Sequence, residues 1–256
     1  MLASIQHSAA DPAAPTLVIA HGLYGSGRNW GVIARRLADR RNVIAVDMRN
    51  HGDSPRMATQ SYPEMAADLA EVIATLAQPV DLMGHSMGGK AAMHLALTRP
   101  DLIRRLIVAD IAPVSYSHDQ TRHVDAMMSV DLSSVITRAD ADTALTRAGV
   151  DDAALRAFFL QSLDLRATPP RWKLNLPVLK AEMSKIIGWP GTEGRFEGPA
   201  LFLTGAESHY VRPEHRDPIR ALFPKARFAR IPGAGHWLHA EKPREFEETV
   251  RVFLES

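Results

Sequence analysis

The stretch Asp81–Met93, DLMGHSMGGKAAM, places Gly84, Ser86 and Gly88 in strict alternation between an apolar run and a helical one. Glycine is a poor residue inside either element, so two of them flanking one serine need a local reason. A sharp strand-to-helix turn supplies it. There the serine backbone is strained, its neighbours at minus two and plus two come too close for side chains, and the hydroxyl is lifted clear of the sheet edge. The helix that follows begins at the same point, so its free N–H groups and dipole face any negative charge developing there. The bare Gly-x-Ser-x-Gly pattern arises by chance in a chain of this length roughly a tenth of the time. The flanks decide the reading: VDLM before it is a strand, and KAAMHLAL after it is a helix.

Outward from this turn the chain alternates. Thr16–Ala20, Asn42–Val46, Val80–Met83, Arg105–Ala109, Ala200–Leu203 and Arg227–Ile231 are short apolar or β-rich runs, each closed by a turn containing Gly, Asp or Pro. Their continuous apolar character predicts parallel strands covered on both faces. Between them lie helical patterns. Ser61 with Glu64 three residues on is a capping box, and Met65, Leu69, Val72, Ile73 and Leu76 repeat at helical spacing behind it. Phe246, Val250 and Phe253 mark a closing helix. Strand–helix alternation of this kind implies an open α/β sheet. It stops between Val114 and Phe196, where short helices are expected at Gln120–Met128 and Asp151–Leu163 and no strand is evident. The expected organisation is a core of residues 1–113 and 197–256 with a helical cap, 114–196, inserted over the sheet.

The bulk numbers narrow the function. With 30 Lys and Arg against 29 Asp and Glu the formal charge is +1, so nothing demands nucleic acid or an anionic membrane as partner. No cysteine is present, which excludes disulfide scaffolds, cysteine nucleophiles and thiolate metal sites. The amino-terminal fifteen residues lack a basic segment followed by a long apolar one, no apolar run is long enough to span a bilayer, and the expected location is cytoplasmic.

A serine hydroxyl is a poor nucleophile until a base takes its proton. Among 11 histidines, His236 follows IPGAG just past the last expected strand, at the same sheet edge as Ser86, because parallel strands end on one side. His239, three residues on, reads as a surface or capping residue. Two acids compete to hold the imidazole in its tautomer. Asp110 ends the strand RLIVAD, and Glu207 lies in LTGAESHY. The usual acid position, three residues after Gly205, is Ser208, and Glu207 is one residue off. Asp110 is therefore preferred, with Glu207 as the alternative. Asp47 reads as support for the turn DMRNHG. For an oxyanion hole one donor is the amide of Met87, next to the serine, and the second is the amide of Leu23 in HGLYGSG, with His21 structural. Such donors are worth about 3 kcal/mol each in the transition state.

The segments AHGLYGSGRNW, DMRNHGDS, GHSMGGKAAM, VADIAPVSY, RWKLNLP and GAGHWLHAEKP together resemble the α/β-hydrolase superfamily, and within it the YbfF-type carboxylesterases. The resemblance covers nearly the whole chain. It implies a mostly parallel sheet of about eight strands with helices on both faces and a helical cap. It also implies ester hydrolysis by Ser86, His236 and Asp110, with no cofactor and no metal. A common family form, DxRGHG, has Gly where this chain has Asn50, a change that affects only a turn. The expected partner is a small-molecule ester or thioester. Met127, Met128, Phe158, Phe159, Trp172, Leu176 and Trp189 are expected to line an apolar acyl pocket or to form the core of the cap itself. Acyl-CoA thioesters, with Arg166, Arg171, Lys173, Lys180 and Lys185 near phosphates, carbon–carbon bond hydrolysis by the same triad, and a non-catalytic binding module remain as alternatives.

Overall fold

The computed structural model describes residues 1–10, 15–117 and 120–256. Residues 11–14, inside the amino-terminal stretch read for a signal, and 118–119, inside the inserted segment, lie outside it. All six expected strands are present, and a seventh joins them. In chain order the main sheet contains β1 (Ser4–His7), β2 (Leu17–Ala20), β3 (Val43–Val46), β4 (Val80–His85) and β5 (Ile103–Ala109). After β6 (Leu163–Asp164) and β7 (Arg171–Trp172), which pair only with each other, come β8 (Ala200–Gly205) and β9 (Ala226–Ile231). The spatial order is β1-β3-β2-β4-β5-β8-β9, with β1 antiparallel and every other neighbour parallel. The sheet thus has seven strands among the described residues, where about eight were expected. β1 escaped the sequence because SIQH is a largely exposed edge strand with no apolar run.

The helices are α1 (Gly31–Leu37), α2 (Tyr62–Ala74), α3 (Met87–Thr98), α4 (Thr121–Ser129), α5 (Arg138–Arg147) and α6 (Ala153–Leu160). Then follow α7 (Leu176–Ala181), α8 (Met183–Ile187), α9 (Arg216–Leu222), α10 (Leu238–Glu241) and α11 (Pro243–Glu255). The Ser61–Glu64 capping box opens α2. The sheet divides the core. Leu17 and Ile19 of β2 face a cluster with Ile33 and Leu37 of α1 and Phe246 and Val250 of α11. Val18 and Ala20 face the opposite cluster, which holds α2, α3 and the buried residues of α4–α8. This is the period-two alternation of a strand covered on both faces. Between β5 and β8 run α4–α8 with the two-residue ribbon β6–β7, a pairing too short to have left a strand pattern in the sequence. Among the described residues no helix is long and apolar enough to cross a membrane.

β3 and β4 flank β2, so the chain leaves β2 toward one side of the sheet and then returns to the other. A crevice opens at the carboxyl ends of the strands at such a reversal, which is where open α/β sheets hold their ligands.

Candidate active site

Ser86 stands at that crevice, between the end of β4 and the start of α3, with φ 51° and ψ −117°. A non-glycine residue in this region is strained and persists only where its surroundings impose it. The glycines explain how the turn closes. A Cβ on Gly84 would lie 2.2 Å from the Gly88 carbonyl oxygen, and one on Gly88 would lie 2.4 Å from that of Ala20. Any side chain at either position would force the strand and helix apart.

His236 arrives from the loop after β9. Its Nε2 is 3.1 Å from Ser86 Oγ and its Nδ1 is 2.7 Å from Asp110 Oδ2. With Nδ1–H donating to the carboxylate, Nε2 is left bare to accept the serine proton. Asp110 is fully buried at the end of β5, itself left-handed at φ 52°, and its Oδ1 accepts from the Gly205 amide at 3.2 Å. Glu207 is exposed, and among the described residues no hydrogen bond joins it to His236. The sequence reading missed Ser208, whose hydroxyl donates to the same Asp110 Oδ2 that holds His236. The signal was its position: it stands where the acid was looked for and not found. Tyr210, two residues on, stacks its ring on His236 at 3.9 Å between centroids.

Among the described residues neither the Leu23 nor the Met87 amide has an acceptor, and both residues line the cavity beside Ser86. Two buried histidines shape the Leu23 loop. His21 Nδ1–H donates to the Gly22 carbonyl at 2.7 Å while Nε2 accepts from the Met48 amide. His51 Nε2 accepts from the Tyr24 amide at 3.2 Å. Each uses one nitrogen as donor and one as acceptor, which requires the neutral ring. Burial agrees, pushing His21 down to about 4 and His51 to about 3. Asp47 supports the neighbouring turn, accepting from the Gly27 and Asp53 amides. Asn50 does more than fill a turn. It is left-handed at φ 63°, donates to Gln60, accepts from the Met57 amide and accepts from Asn175 of the inserted segment.

The cavity over Ser86 has a volume of about 340 Å³. Its apolar lining includes Ile111, Leu155, Phe158, Phe159 and Ile186, and its mouth carries Asn29, Arg122 and Asp152. Of the aromatic and apolar residues expected to line it, only Phe158 and Phe159 do. Met127, Trp172 and Leu176 are buried in packing away from the cavity, Met128 is 47% exposed, and Trp189 packs on Tyr62. His239 is also corrected: it is buried, stacked on Trp30 at 4.2 Å, and pushed down to about 3 by burial. Lys90, one turn beyond Ser86 on α3, is buried and donates to the Ile187 and Gly188 carbonyls at 2.9 and 2.5 Å, tying α8 to the serine helix. Among the described residues no group of three or more His, Cys, Asp or Glu side chains is placed to hold a metal ion.

The chain is similar to known esterases and lipases. The chain is 41% identical over 244 residues to the esterase YbfF of Escherichia coli, covering 93% of this chain and 92% of that one. It is 40% identical over 252 residues to the sn-1-specific diacylglycerol lipase ABHD11 of Mus musculus, covering 95% and 82%. A solved marine microorganism esterase superposes with a TM-score of 0.93 at 38% identity, covering 98% of both chains. The family described as the alpha/beta hydrolase fold matches residues 15–243. This chain belongs to the α/β-hydrolase family.

Proposed function

We propose that this serine hydrolase cleaves carboxylic esters at Ser86, through an acyl-serine intermediate. The observation that carries the reading is the unbroken hydrogen-bond chain from Ser86 Oγ through His236 to Asp110 at the floor of the cavity. Ser86 Oγ attacks the ester carbonyl as its proton passes to His236 Nε2. The carbonyl electron pair moves to the oxygen, which the Leu23 and Met87 amides receive. Collapse expels the alcohol, protonated by His236, and leaves Ser86 acylated. Water then repeats the sequence: His236 takes its proton, the hydroxide adds to the acyl carbon, and the carboxylic acid leaves as Ser86 recovers its hydrogen. Asp110 stays ionised and stabilises the imidazolium that forms twice per cycle.

Residues 114–196 act in this reading as a cap on a core of 1–113 and 197–256. They interrupt the sheet order with α4–α8 and bring Leu155, Phe158, Phe159 and Ile186 over the serine. The apolar character of that wall favours an apolar acyl group. A cytoplasmic location belongs to the same proposal. Esters are preferred to acyl-CoA thioesters, because four of the five basic residues that would meet phosphates, all but Arg166, already lie against acids. Lys173 lies 2.7 Å from Asp53, Lys180 2.6 Å from Asp125, Lys185 2.7 Å from Glu182, and Arg171 3.9 Å from Asp164.

The test is covalent. A fluorophosphonate probe should label Ser86 in the wild type. Ser86→Ala should abolish labelling and lower p-nitrophenyl ester hydrolysis by about 10⁶-fold, as nucleophile removal does in other serine hydrolases. Turnover retained by Ser86→Ala would overturn the assignment, and a series of esters of graded length would measure the acyl pocket.

A further inference from the structure

His236 has no regular element to hold it. It lies in the loop between β9 and α10, yet its Nε2 must stay within about 3 Å of Ser86 Oγ for proton transfer. The backbone around it is held from two sides by side chains that touch no reacting atom.

On one side is Glu241, the last residue of α10. Its Oε2 accepts from the Gly235 amide at 2.6 Å and its Oε1 accepts from the Trp237 amide at 3.3 Å. One carboxylate thus spans the two peptide groups on either side of the histidine. Hydrogen bonds to an ionised acceptor are shorter and stronger than neutral ones. The Glu241 amide in turn donates to the Trp237 carbonyl at 2.9 Å, so the loop and the short helix close on each other.

On the other side is His85, the residue before Ser86. Its Nε2 lies 2.9 Å from the His236 carbonyl oxygen. A carbonyl only accepts, so the His85 proton is on Nε2 and Nδ1 is bare. The ring is buried between His236 and His239, with centroids 4.7 and 4.8 Å away. Burial and the neighbouring imidazoles hold it well below the usual histidine range, which keeps it neutral and adds no fixed positive charge beside the base. Gly22 makes room for it: a Cβ there would lie 2.8 Å from His85 Nδ1.

We infer that His85 and Glu241 are positioning residues that grip the backbone of His236 from opposite sides and set the distance between the base and Ser86. This rests on the reading of Ser86 as nucleophile and His236 as base. Because His85 is bonded directly to Ser86, its hydrogen bond joins the strand that carries the nucleophile to the loop that carries the base. Misplacing a catalytic group by about 1 Å costs on the order of a hundredfold in rate. Loss of either grip should therefore appear in kcat and not in KM.

The experiment compares wild type with His85→Phe, Glu241→Ala and Glu241→Gln, each normalised by endpoint labelling with a fluorophosphonate. In His85→Phe, which keeps a ring but no donor, kcat per labelled site should fall by roughly 10- to 100-fold. In Glu241→Ala it should fall by about tenfold, with Glu241→Gln recovering part of the loss through its remaining acceptor oxygen. KM should stay within about twofold throughout, and the second-order rate of fluorophosphonate inactivation should fall in step with kcat. A merely structural role would lower the labelled fraction or the melting temperature and leave kcat per labelled site alone. That result in both His85→Phe and Glu241→Ala overturns the inference. Should His85→Phe fail to fold, the Glu241 pair decides, since that side chain is exposed and its loss opens no core cavity. Absence of label on wild-type Ser86 would instead refute the nucleophile, so the two failures are distinct.

Discussion

The two ends of the strand pair β4–β5 each bury a carboxylate completely, and the two are held in opposite ways. At the start of β4, Asp81 Oδ2 meets Arg41 Nη1 at 3.0 Å and Arg104 Nη2 at 2.5 Å. Past the end of β5, Asp110 meets the Gly205 amide, the Ser208 hydroxyl and His236 Nδ1. A guanidinium keeps its proton at any pH the protein experiences, whereas an imidazole exchanges one near neutrality. The first carboxylate can only bind; the second can support a proton that moves. The backbone follows the same division. Of the five left-handed non-glycine residues among those described, Tyr24, Asn50, Ser86 and Asp110 lie at the carboxyl edge, and only Ala77, in the turn before β4, lies at the other end. Strain is concentrated at the edge that carries Ser86 and His236, although that edge also holds an arginine ion pair, Arg49 with Asp68.

The sharpest way to break this contrast is to change each carboxylate to its amide. Asp110→Asn should lower kcat by about 10⁴-fold, because the amide favours the wrong imidazole tautomer, while the urea midpoint moves little. Glu207→Gln should leave turnover unchanged; the reverse pair of results would move the acid to Glu207. Asp81→Asn should do the opposite. It strips the counter-charge from Arg41, only 8% exposed, and should cost about 3–5 kcal/mol in urea unfolding while leaving kcat per labelled site unchanged. A catalytic loss in Asp81→Asn would show that the two edges are coupled after all.

Acid should find the same boundary. Burial pushes His21 down to about 4, and burial with a neighbouring imidazole pushes His51 and His239 down to about 3, against an ordinary value near 6.5. Below 6.5 the unfolded chain binds protons that the native state refuses. Stability from these groups is therefore intact at neutral pH and falls as pH drops from 6.5 toward 4, by about 1 kcal/mol per histidine per pH unit. All three sit at the carboxyl edge; at the other edge the arginines keep their charge, while burial raises the Asp81 carboxyl above its usual range. Hydrogen exchange at pH 5 should open the amides of Tyr24 and Met48, which the His51 and His21 rings hold, before those at the start of β4. Uniform loss of protection would refute the division.

Much of this edge was legible in the sequence, for a physical reason. The Gly84–Ser86–Gly88 spacing, the apolar strands and the capping box of α2 are consequences of local sterics and hydrogen bonding, which a short window contains. The parallel sheet then assigns His236 and Asp110 to one edge without knowledge of any contact. What could not be read depends on where a side chain meets a distant segment. Lys90 looks like a surface charge on a helix but ends against the α8 carbonyls, nearly a hundred residues on. Asn50 looked like a turn variant, yet it bonds Asn175. Trp172 and Leu176 were equally plausible as pocket wall or cap core, and only packing separates those. His239, three residues from the base, gave no sign that Trp30 would cover it.

Ser208 offers the finest test, since it sits at the position left vacant by the usual acid and supports Asp110, the acid proposed in its place. Its hydroxyl donates to Asp110 Oδ2, and its oxygen accepts from the Tyr210 amide at 3.3 Å. One residue thus ties the carboxylate to the turn whose tyrosine stacks on His236. Ser208→Ala leaves Asp110 with the Gly205 amide and the imidazole, so the charge survives but its orientation loosens. We expect kcat to fall by about tenfold or less, KM to hold, and unfolding free energy to drop by about 1 kcal/mol, the worth of one hydrogen bond. Ser208→Thr, which keeps the hydroxyl, should recover most of the rate. A loss in Ser208→Ala as large as that of Asp110→Asn would mean that orientation, not charge, is what the buried acid supplies. The contrast with Asp81 would then rest on geometry alone, since both carboxylates would be equally charged and only one of them aimed.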